Sequence, residues 1–170
     1  GYVFQAYPRF VFYPVLCAGQ TRAVPAGISK DAEVFNMKCD PKDLLLYAVT
    51  DRHWLNGRTL VDVVKESLDG GVTMIQLREK SLDEGKFLEE AKELQALCRE
   101  RHVPFIVNDN VDIAKAMDAD GVHVGQDDMA AAQVRQRVGE GVMIGVSAHT
   151  VQEALDAVAH GADYLPERAG

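Results

Sequence analysis

Short apolar runs alternate with amphipathic segments from Leu44 to Leu165, and this alternation limits the folds open to the chain. Each run holds four to six residues and is mostly apolar, as in strands buried on both faces of a parallel sheet. Repeated strand–helix units predict parallel strands joined by right-handed crossovers. The predicted strands cover residues 44–49, 73–78, 104–107, 121–124, 143–146 and 161–165, and the predicted helices cover 59–68, 82–98, 111–117, 129–138 and 151–159.

Two of the predicted helices have a recognisable start and inward face. Ser81 with Glu84, and Thr150 with Glu153, have the spacing of capping boxes, so Ser81 and Thr150 are the expected N-caps. Apolar residues at helical spacing predict the faces that pack on the sheet. These residues are Phe87, Ala91, Leu94 and Cys98 in the longer helix, and Val151, Ala154, Leu155 and Val158 in the last one.

Polar residues follow the predicted strands one after another, which favours a closed barrel over an open sheet. A barrel gathers the carboxyl ends of its strands around one mouth, where its active site is built. No Gly-x-Gly-x-x-Gly follows the first strand, which argues against a dinucleotide-binding sheet. We therefore predict an α/β protein of the (β/α)8 TIM-barrel type, incomplete, with about five and a half βα units. The polar strand ends are Thr50-Asp51, Gln76 to Lys80, Asn108-Asp109, Gln126 to Asp128 and Ser147.

The composition changes near Met37. Residues 1–36 hold seven of the 12 aromatic residues but five of the 44 charged ones, and prolines interrupt any strand pairing there. We expect residues 1–36 to be a poorly ordered or non-native extension, with a small docking arm as the alternative. Residues 37–165 are then the partial barrel.

Net charge and cysteine usage exclude several classes of protein. A net charge of −8 argues against broad binding to nucleic acid or anionic membranes. The three cysteines lack the spacing of a disulfide framework or zinc site, and no apolar run has the length of a membrane span. We expect a cytoplasmic protein with reduced thiols, and the sequence leaves a homo-oligomer possible.

The segment Gln76 to Lys80 places two cations at one strand end. Arg78 and Lys80 are two residues apart, so they share a side of an extended backbone and suit a phosphate or diphosphate. A solvated charge run is the alternative for this segment taken alone.

Acidic residues follow the next two strands. Asp109 and Asp128 converge at the same rim without His or Cys partners, as in a magnesium site that also uses substrate phosphate oxygens. Each also precedes a helix and suits a helix cap. Together with Arg78 and Lys80, the two acids favour a site for a magnesium-bound diphosphate. Ser147 and His149 lack the elbow and orienting acid of a nucleophile, and His123 is expected to be a packed, hydrogen-bonded residue.

An ordered set of motifs resembles the thiamine-phosphate synthase family over residues 37–165. These motifs are Leu-Tyr-Ala-Val-Thr-Asp, Gln-Leu-Arg-Glu-Lys, Asn-Asp, Asp-Gly-Val-His-Val-Gly-Gln-x-Asp, Ile-Gly-Val-Ser-Ala-His-Thr and Gly-Ala-Asp-Tyr-Leu. The resemblance implies a (β/α)8 barrel that joins hydroxymethylpyrimidine diphosphate to a hydroxyethylthiazole phosphate. It implies departure of the diphosphate first, giving a pyrimidine-methyl cation that the thiazole nitrogen attacks.

The resemblance also implies roles for individual residues. Arg78 and Lys80 would be catalytic, and Asp109 and Asp128 would hold Mg2+. The substrate-binding set would be Gln76, Leu77, Arg78, Glu79, Lys80, Asn108 and Ser147.

The resemblance stops at Leu165. There the family continues into a Gly-rich loop, a Thr-x-Thr-Lys segment and two further strands for the thiazole phosphate. In this chain Pro166 is expected to end the strand, and residues 166–170 are expected to be an aberrant tail. We expect two exposed sheet edges, an unstable chain and at best weak activity. A thiazole tautomerase-like paralogue and a non-functional gene fragment are the alternatives, and the acidic pair favours the synthase.

Overall fold

The structure is a computed structural model that describes residues 11–12, 15–17, 39–80, 83–125 and 130–166. Strands and helices alternate in it after two short N-terminal strands. The strands are β1 (Val11–Phe12), β2 (Val15–Cys17), β3 (Tyr47–Val49), β4 (Met74–Leu77), β5 (Phe105–Asn108), β6 (Gly121–Val124), β7 (Met143–Val146) and β8 (Tyr164–Pro166). The α-helices are α1 (Leu60–Asp69), α2 (Glu84–Glu100), α3 (Val111–Ala116), α4 (Ala131–Val138) and α5 (Val151–Ala159), and 3-10 turns cover Pro41–Leu44 and Arg52–Trp54.

Strands β3 to β8 run parallel and lie side by side in chain order, which confirms the predicted βαβ units. Tyr47 of β3 and Tyr164 of β8 stand at opposite ends of this parallel array, yet their hydroxyl oxygens are 2.7 Å apart. The sheet is therefore curled into a half-barrel, and the two rings meet edge to face in its interior with centroids 5.7 Å apart. The barrel-type fold is confirmed.

Alternate residues of each strand face either the helices or the barrel interior. In β4, Met74 joins the interior cluster, whereas Ile75 and Leu77 join the larger core beneath the helices. All four residues of β4 are buried, which is why the strand is almost entirely apolar. The predicted stripe of α2 is confirmed, because its four members are at most 5% exposed.

Helix starts follow the expected capping chemistry with one correction. Thr150 caps α5 by accepting a hydrogen bond from the Glu153 N–H at 3.1 Å. In α2 the cap is Asp83, which accepts from the Lys86 N–H at 3.1 Å. The prediction of Ser81 as N-cap is wrong, since Asp serves as well in this role and lies one residue before the helix. Ser81 itself lies outside the described residues.

The inward face predicted for α5 is also wrong. Val151 is 78% exposed and Leu155 is 50% exposed, while Ala157 is the buried residue of the helix. Ala154 and Val158 are half-buried. Because α5 is the last helix of the described residues, its Val151–Leu155 side has no further helix to pack against there. The helical period was correct, but the residue that meets the sheet was not the most apolar one.

Both edges of the parallel array are paired by the N-terminal segment. Strand β1 runs antiparallel to β3, with Val11 opposite Val49, and β2 runs antiparallel to β8, with Leu16 opposite Leu165. The edges of β3 and β8 are therefore paired, whereas exposed edges were expected. Pro166 is the last residue of β8 and stands opposite Val15, so the strand includes it. Residues 167–170 lie outside the described residues.

Among the described residues, no helix is both long and apolar enough to cross a bilayer.

Candidate functional site

The carboxyl ends of β3 to β7 lie along one rim of the half-barrel. The strand register fixes how far each strand extends toward this rim. Val49 is opposite Gln76, Leu77 is opposite Val107, and Asn108 is opposite His123. Arg78 and Lys80 follow β4, and Asp109 follows β5, so these three predicted residues come to the same end of neighbouring strands. Their convergence on one ligand stays a prediction.

Gln76 and Leu77 point to opposite faces of β4. Gln76 is 4% exposed and donates from Nε2 to the Tyr47 hydroxyl at 2.6 Å, inside the barrel. Leu77 is fully buried in the core beneath the helices. The side chain of Leu77 is thus directed away from the mouth, which leaves its main chain as the part able to meet a ligand.

Arg78 is held by the end of the preceding strand. Its N–H donates to Thr50 Oγ1 at 3.0 Å, and Thr50 is 1% exposed. Its guanidinium lies 3.8 Å from a carboxylate oxygen of Asp51, and both side chains remain about one-third exposed. The Arg78 backbone is therefore fixed while the charged group stays accessible at the rim.

Glu79 is used in a buried ion pair. Its side chain is 2% exposed, and Arg52 donates to it from Nε and to Glu90 of α2 from a terminal nitrogen. Burial opposes the charge on Arg52, but the hydrogen bonds to Glu79 and Glu90 outweigh it and raise the pKa of the guanidinium. The other Glu79 oxygen accepts from the Lys80 N–H at 2.8 Å. Glu79 thus orients the loop that carries Lys80, whose side chain is exposed.

Asp109 is not the cap of the helix that follows it. Asn110 caps α3 by accepting from the Ile113 N–H at 2.9 Å, whereas Asp109 accepts from Asn108 Nδ2 at 2.6 Å. Asp109 also adopts a φ of 60°, in the left-handed region that Asp tolerates better than most residues and that recurs at functional sites. The helix-cap alternative is therefore wrong for Asp109, whose exposed carboxylate is held at the rim.

The second predicted metal ligand, Asp128, lies outside the described residues. Within the part of the chain that the structure describes, no group of three or more His, Cys, Asp or Glu side chains has the arrangement of a metal site. Asp109 is thus the described member of the predicted pair.

Ser147 and His123 are joined at the end of β7. The Ser147 hydroxyl lies 2.8 Å from His123 Nε2, and the other ring nitrogen lies 3.4 Å from the Tyr164 hydroxyl. His123 is 5% exposed, so the expectation of a packed, hydrogen-bonded residue is confirmed.

Sequence reasoning missed Tyr47 and Tyr164. They were interpreted as apolar strand residues, although a tyrosine in a strand buried on both faces needs a partner for its hydroxyl. Burial raises the pKa of both phenols, so both are neutral over the physiological range. The presence of tyrosines in buried strands was therefore the sequence signal for polar contacts inside the barrel.

A family model described as thiamine monophosphate synthase matches residues 46–166. The chain belongs to this family. It is 47% identical over 124 residues to a thiamine-phosphate synthase of Shouchella clausii, covering 73% of this chain and 59% of that protein. It is 46% identical over 146 residues to the chloroplastic thiamine biosynthetic bifunctional enzyme TH1 of Arabidopsis thaliana, covering 82% of this chain and 27% of that one.

A solved structure has the same fold. Thiamine phosphate pyrophosphorylase from Pyrococcus furiosus superposes with a TM-score of 0.64 at 40% sequence identity, covering 69% of this chain and 56% of that one. The chain therefore spans between half and three-fifths of the length of the Shouchella clausii and Pyrococcus furiosus proteins.

Proposed function

We propose that this chain forms the pyrimidine-diphosphate side of a thiamine-phosphate synthase. The reaction joins 4-amino-2-methyl-5-(diphosphooxymethyl)pyrimidine to a hydroxyethylthiazole phosphate and gives thiamine phosphate and pyrophosphate. The observation that carries the proposal is the adjacency of a cationic strand end, Arg78 with Lys80, and an acidic one, Asn108 with Asp109, on the neighbouring strands β4 and β5. The names of the similar proteins support the same reaction.

Arg78 and Lys80 are the groups suited to a departing diphosphate. Arg78 is anchored through its backbone and keeps its guanidinium at the rim, so it can donate two hydrogen bonds to phosphate oxygens. Lys80 adds a second positive charge from an exposed position. Both stabilise negative charge as it develops on the leaving group. Asn108, Gln76 and Ser147 then bind the remainder of the pyrimidine substrate, and no protein nucleophile is required.

The carboxylate of Asp109 fits a magnesium ligand. Hard cations prefer carboxylate oxygens at positions where substrate phosphates complete the coordination. Asn110 caps α3, and the Asp109 side chain is exposed at the rim. Asp109 would hold Mg2+ together with Asp128, and the metal would neutralise charge on the diphosphate. The thiazole phosphate, a cytoplasmic location and a homo-oligomer remain predictions.

Calorimetric titration of this chain with the pyrimidine diphosphate, with and without Mg2+, tests the proposal. We expect binding that depends on Mg2+ and weakens about ten- to 100-fold in Arg78→Ala, because charge-assisted hydrogen bonds are lost. Arg101→Ala is the matched control, since Arg101 follows α2 and forms an exposed ion pair with Asp69 at the end of α1. Asp109→Asn should remove most of the Mg2+ dependence.

Equal binding by Arg78→Ala and the unmodified chain would contradict the proposed site. Mg2+-independent binding of a thiazole phosphate, without any affinity for the pyrimidine diphosphate, would instead favour the tautomerase-like alternative.

A further inference from the structure

Polar side chains form a continuous file across the interior of the half-barrel. It runs from Gln76 on β4 through Tyr47, Tyr164 and His123 to Ser147, with separations of 2.6, 2.7, 3.4 and 2.8 Å. The first four side chains are at most 5% exposed. The file therefore links two predicted ligand-binding residues, Gln76 and Ser147, through three groups that the proposed reaction does not use.

The donor at the Gln76 end sets the direction of the file. The Gln76 amide nitrogen carries only donors, so the Tyr47 hydroxyl accepts from it. The hydrogen of Tyr47 is then available for Tyr164, its other neighbour among the described residues. Tyr164 accepts that hydrogen and directs its own toward His123 Nδ1. Because both phenols are deeply buried, each gains by having its hydrogen on an acceptor.

The direction of the file determines which nitrogen of a neutral His123 carries the proton. A ring nitrogen that accepts a hydrogen bond has no hydrogen, so Nδ1 is bare and Nε2 carries the N–H. That N–H donates to Ser147 Oγ at 2.8 Å. Ser147 thereby accepts from inside the barrel, and its own hydrogen is turned away from His123.

We propose that His123 is a positioning residue whose proton is held on Nε2 by the Gln76–Tyr47–Tyr164 file, so that Ser147 acts as a hydrogen-bond donor to an acceptor atom of the ligand. An unprotonated aromatic nitrogen is the class of acceptor that such a serine recognises. This ligand part rests on the proposed function, because the pyrimidine ring supplies that nitrogen.

Nitrogen-15 NMR of the histidine-labelled full chain tests the tautomer without any ligand. We expect the His123 resonances, identified by their loss in His123→Leu, to show Nε2 protonated and Nδ1 bare. Tyr164→Phe should shift the Nδ1 resonance, because the donor to that nitrogen is removed. Tyr47→Phe should let Nδ1 become partly protonated, because Tyr164 then lacks the donor that directs its own hydrogen toward His123. A proton on Nδ1 in the unmodified chain, or an unchanged Nδ1 resonance in both variants, would overturn the proposal.

Titration with the pyrimidine diphosphate and Mg2+ tests the consequence for Ser147. His123→Leu should weaken binding about three- to tenfold, the effect of one lost hydrogen bond. His123→Gln should restore most of the affinity, because its amide N–H can take the place of Nε2–H. Equal losses in both variants would show a packing role and overturn the positioning role. Absence of binding in the unmodified chain would contradict the proposed function, while the NMR result would still decide the tautomer.

Discussion

Gly145 shows at the scale of one residue how the polar file is accommodated. A Cβ at this position of β7 would lie 2.2 Å from Tyr164 Cζ and 2.5 Å from His123 Nδ1. Neither ring can move away easily, because both are buried. The absence of a side chain at Gly145 is therefore what lets the Tyr164 ring lie over the β7 backbone.

We predict that Gly145→Ala destabilises the chain by about 1–3 kcal/mol, the usual cost of forcing extra volume into a packed interior. Chemical denaturation would measure the free energy of unfolding. Gly141→Ala is the control, because a Cβ at Gly141 has nothing within 4 Å. Similar unfolding midpoints for the two variants would show that Tyr164 does not occupy this space.

Cys98 predicts a loss of stability in alkaline solution. Burial raises the pKa of its thiol to about 12, against 9.0 for an ordinary thiol. Between these values the folded chain keeps a proton that the unfolded chain releases, so the free energy of unfolding falls as pH rises. We expect a decline of about 1.4 kcal/mol per pH unit from this group above pH 9. Denaturation at several pH values should show a shallower slope in Cys98→Ala, and an unchanged slope would contradict it.

Predictions for single residues succeeded where the neighbouring sequence determines the environment of the side chain. His123 in an apolar strand was expected to be packed and is. Leu77 and Glu79 were predicted as substrate-binding residues from the family resemblance. The Leu77 side chain packs in the core, and the Glu79 side chain pairs with Arg52. The period of two along a strand already places Gln76 and Leu77 on opposite faces. The ion pair of Glu79 could not be predicted, because its partner lies 27 positions away.

At the scale of elements, the Arg52–Glu79–Glu90 group ties three segments together. It joins the turn after β3, the loop after β4 and helix α2. This arrangement fixes the base of the loop that presents Lys80.

We predict that Arg52→Met costs about 3 kcal/mol of stability, because the buried Glu79 carboxylate loses its guanidinium. Arg101→Met should cost at most about 1 kcal/mol, since its pair with Asp69 is more than half exposed on both sides. Thermal and denaturant unfolding of both variants provide the comparison. Equal effects would mean that the Arg52 group does not hold the loop.

Element positions followed from the hydrophobic pattern better than element orientations did. The six parallel strands and five helices lie close to where the alternation of apolar runs predicts them. The start of α2 was misplaced because Ser81 and Asp83 are both good caps and the sequence does not rank them. The inward face of α5 depends on which neighbours surround the helix, and a helical period alone does not specify them.

At the scale of the whole molecule, the curled sheet has both edges of its parallel array covered. The parallel array ends at β3 and β8, and the short strands β1 and β2 pair with β3 and β8 respectively. This pairing covers backbone groups that would otherwise template association with another chain. Its partners are far apart in sequence, so the composition of residues 1–36 could not predict it.

We predict that Leu16→Pro increases self-association, because proline cannot donate to the pairing with Leu165 and disfavours a strand interior. Light scattering after size-exclusion chromatography would measure the mass across a concentration series. Leu16→Val is the control, since valine suits a strand. The same mass for both variants at every concentration would contradict a protective role of β2.

The edge of β8 that faces away from β7 has room for one neighbouring strand. Strand β2 takes that place in reverse orientation, alongside Tyr164, Leu165 and Pro166. A seventh parallel strand could pair with β8 only after Val15–Cys17 had dissociated from it. Pairing of β8 with β2 and pairing of β8 with a seventh parallel strand therefore exclude each other. Addition of a further strand to the barrel would therefore compete with the pairing of β2 and β8.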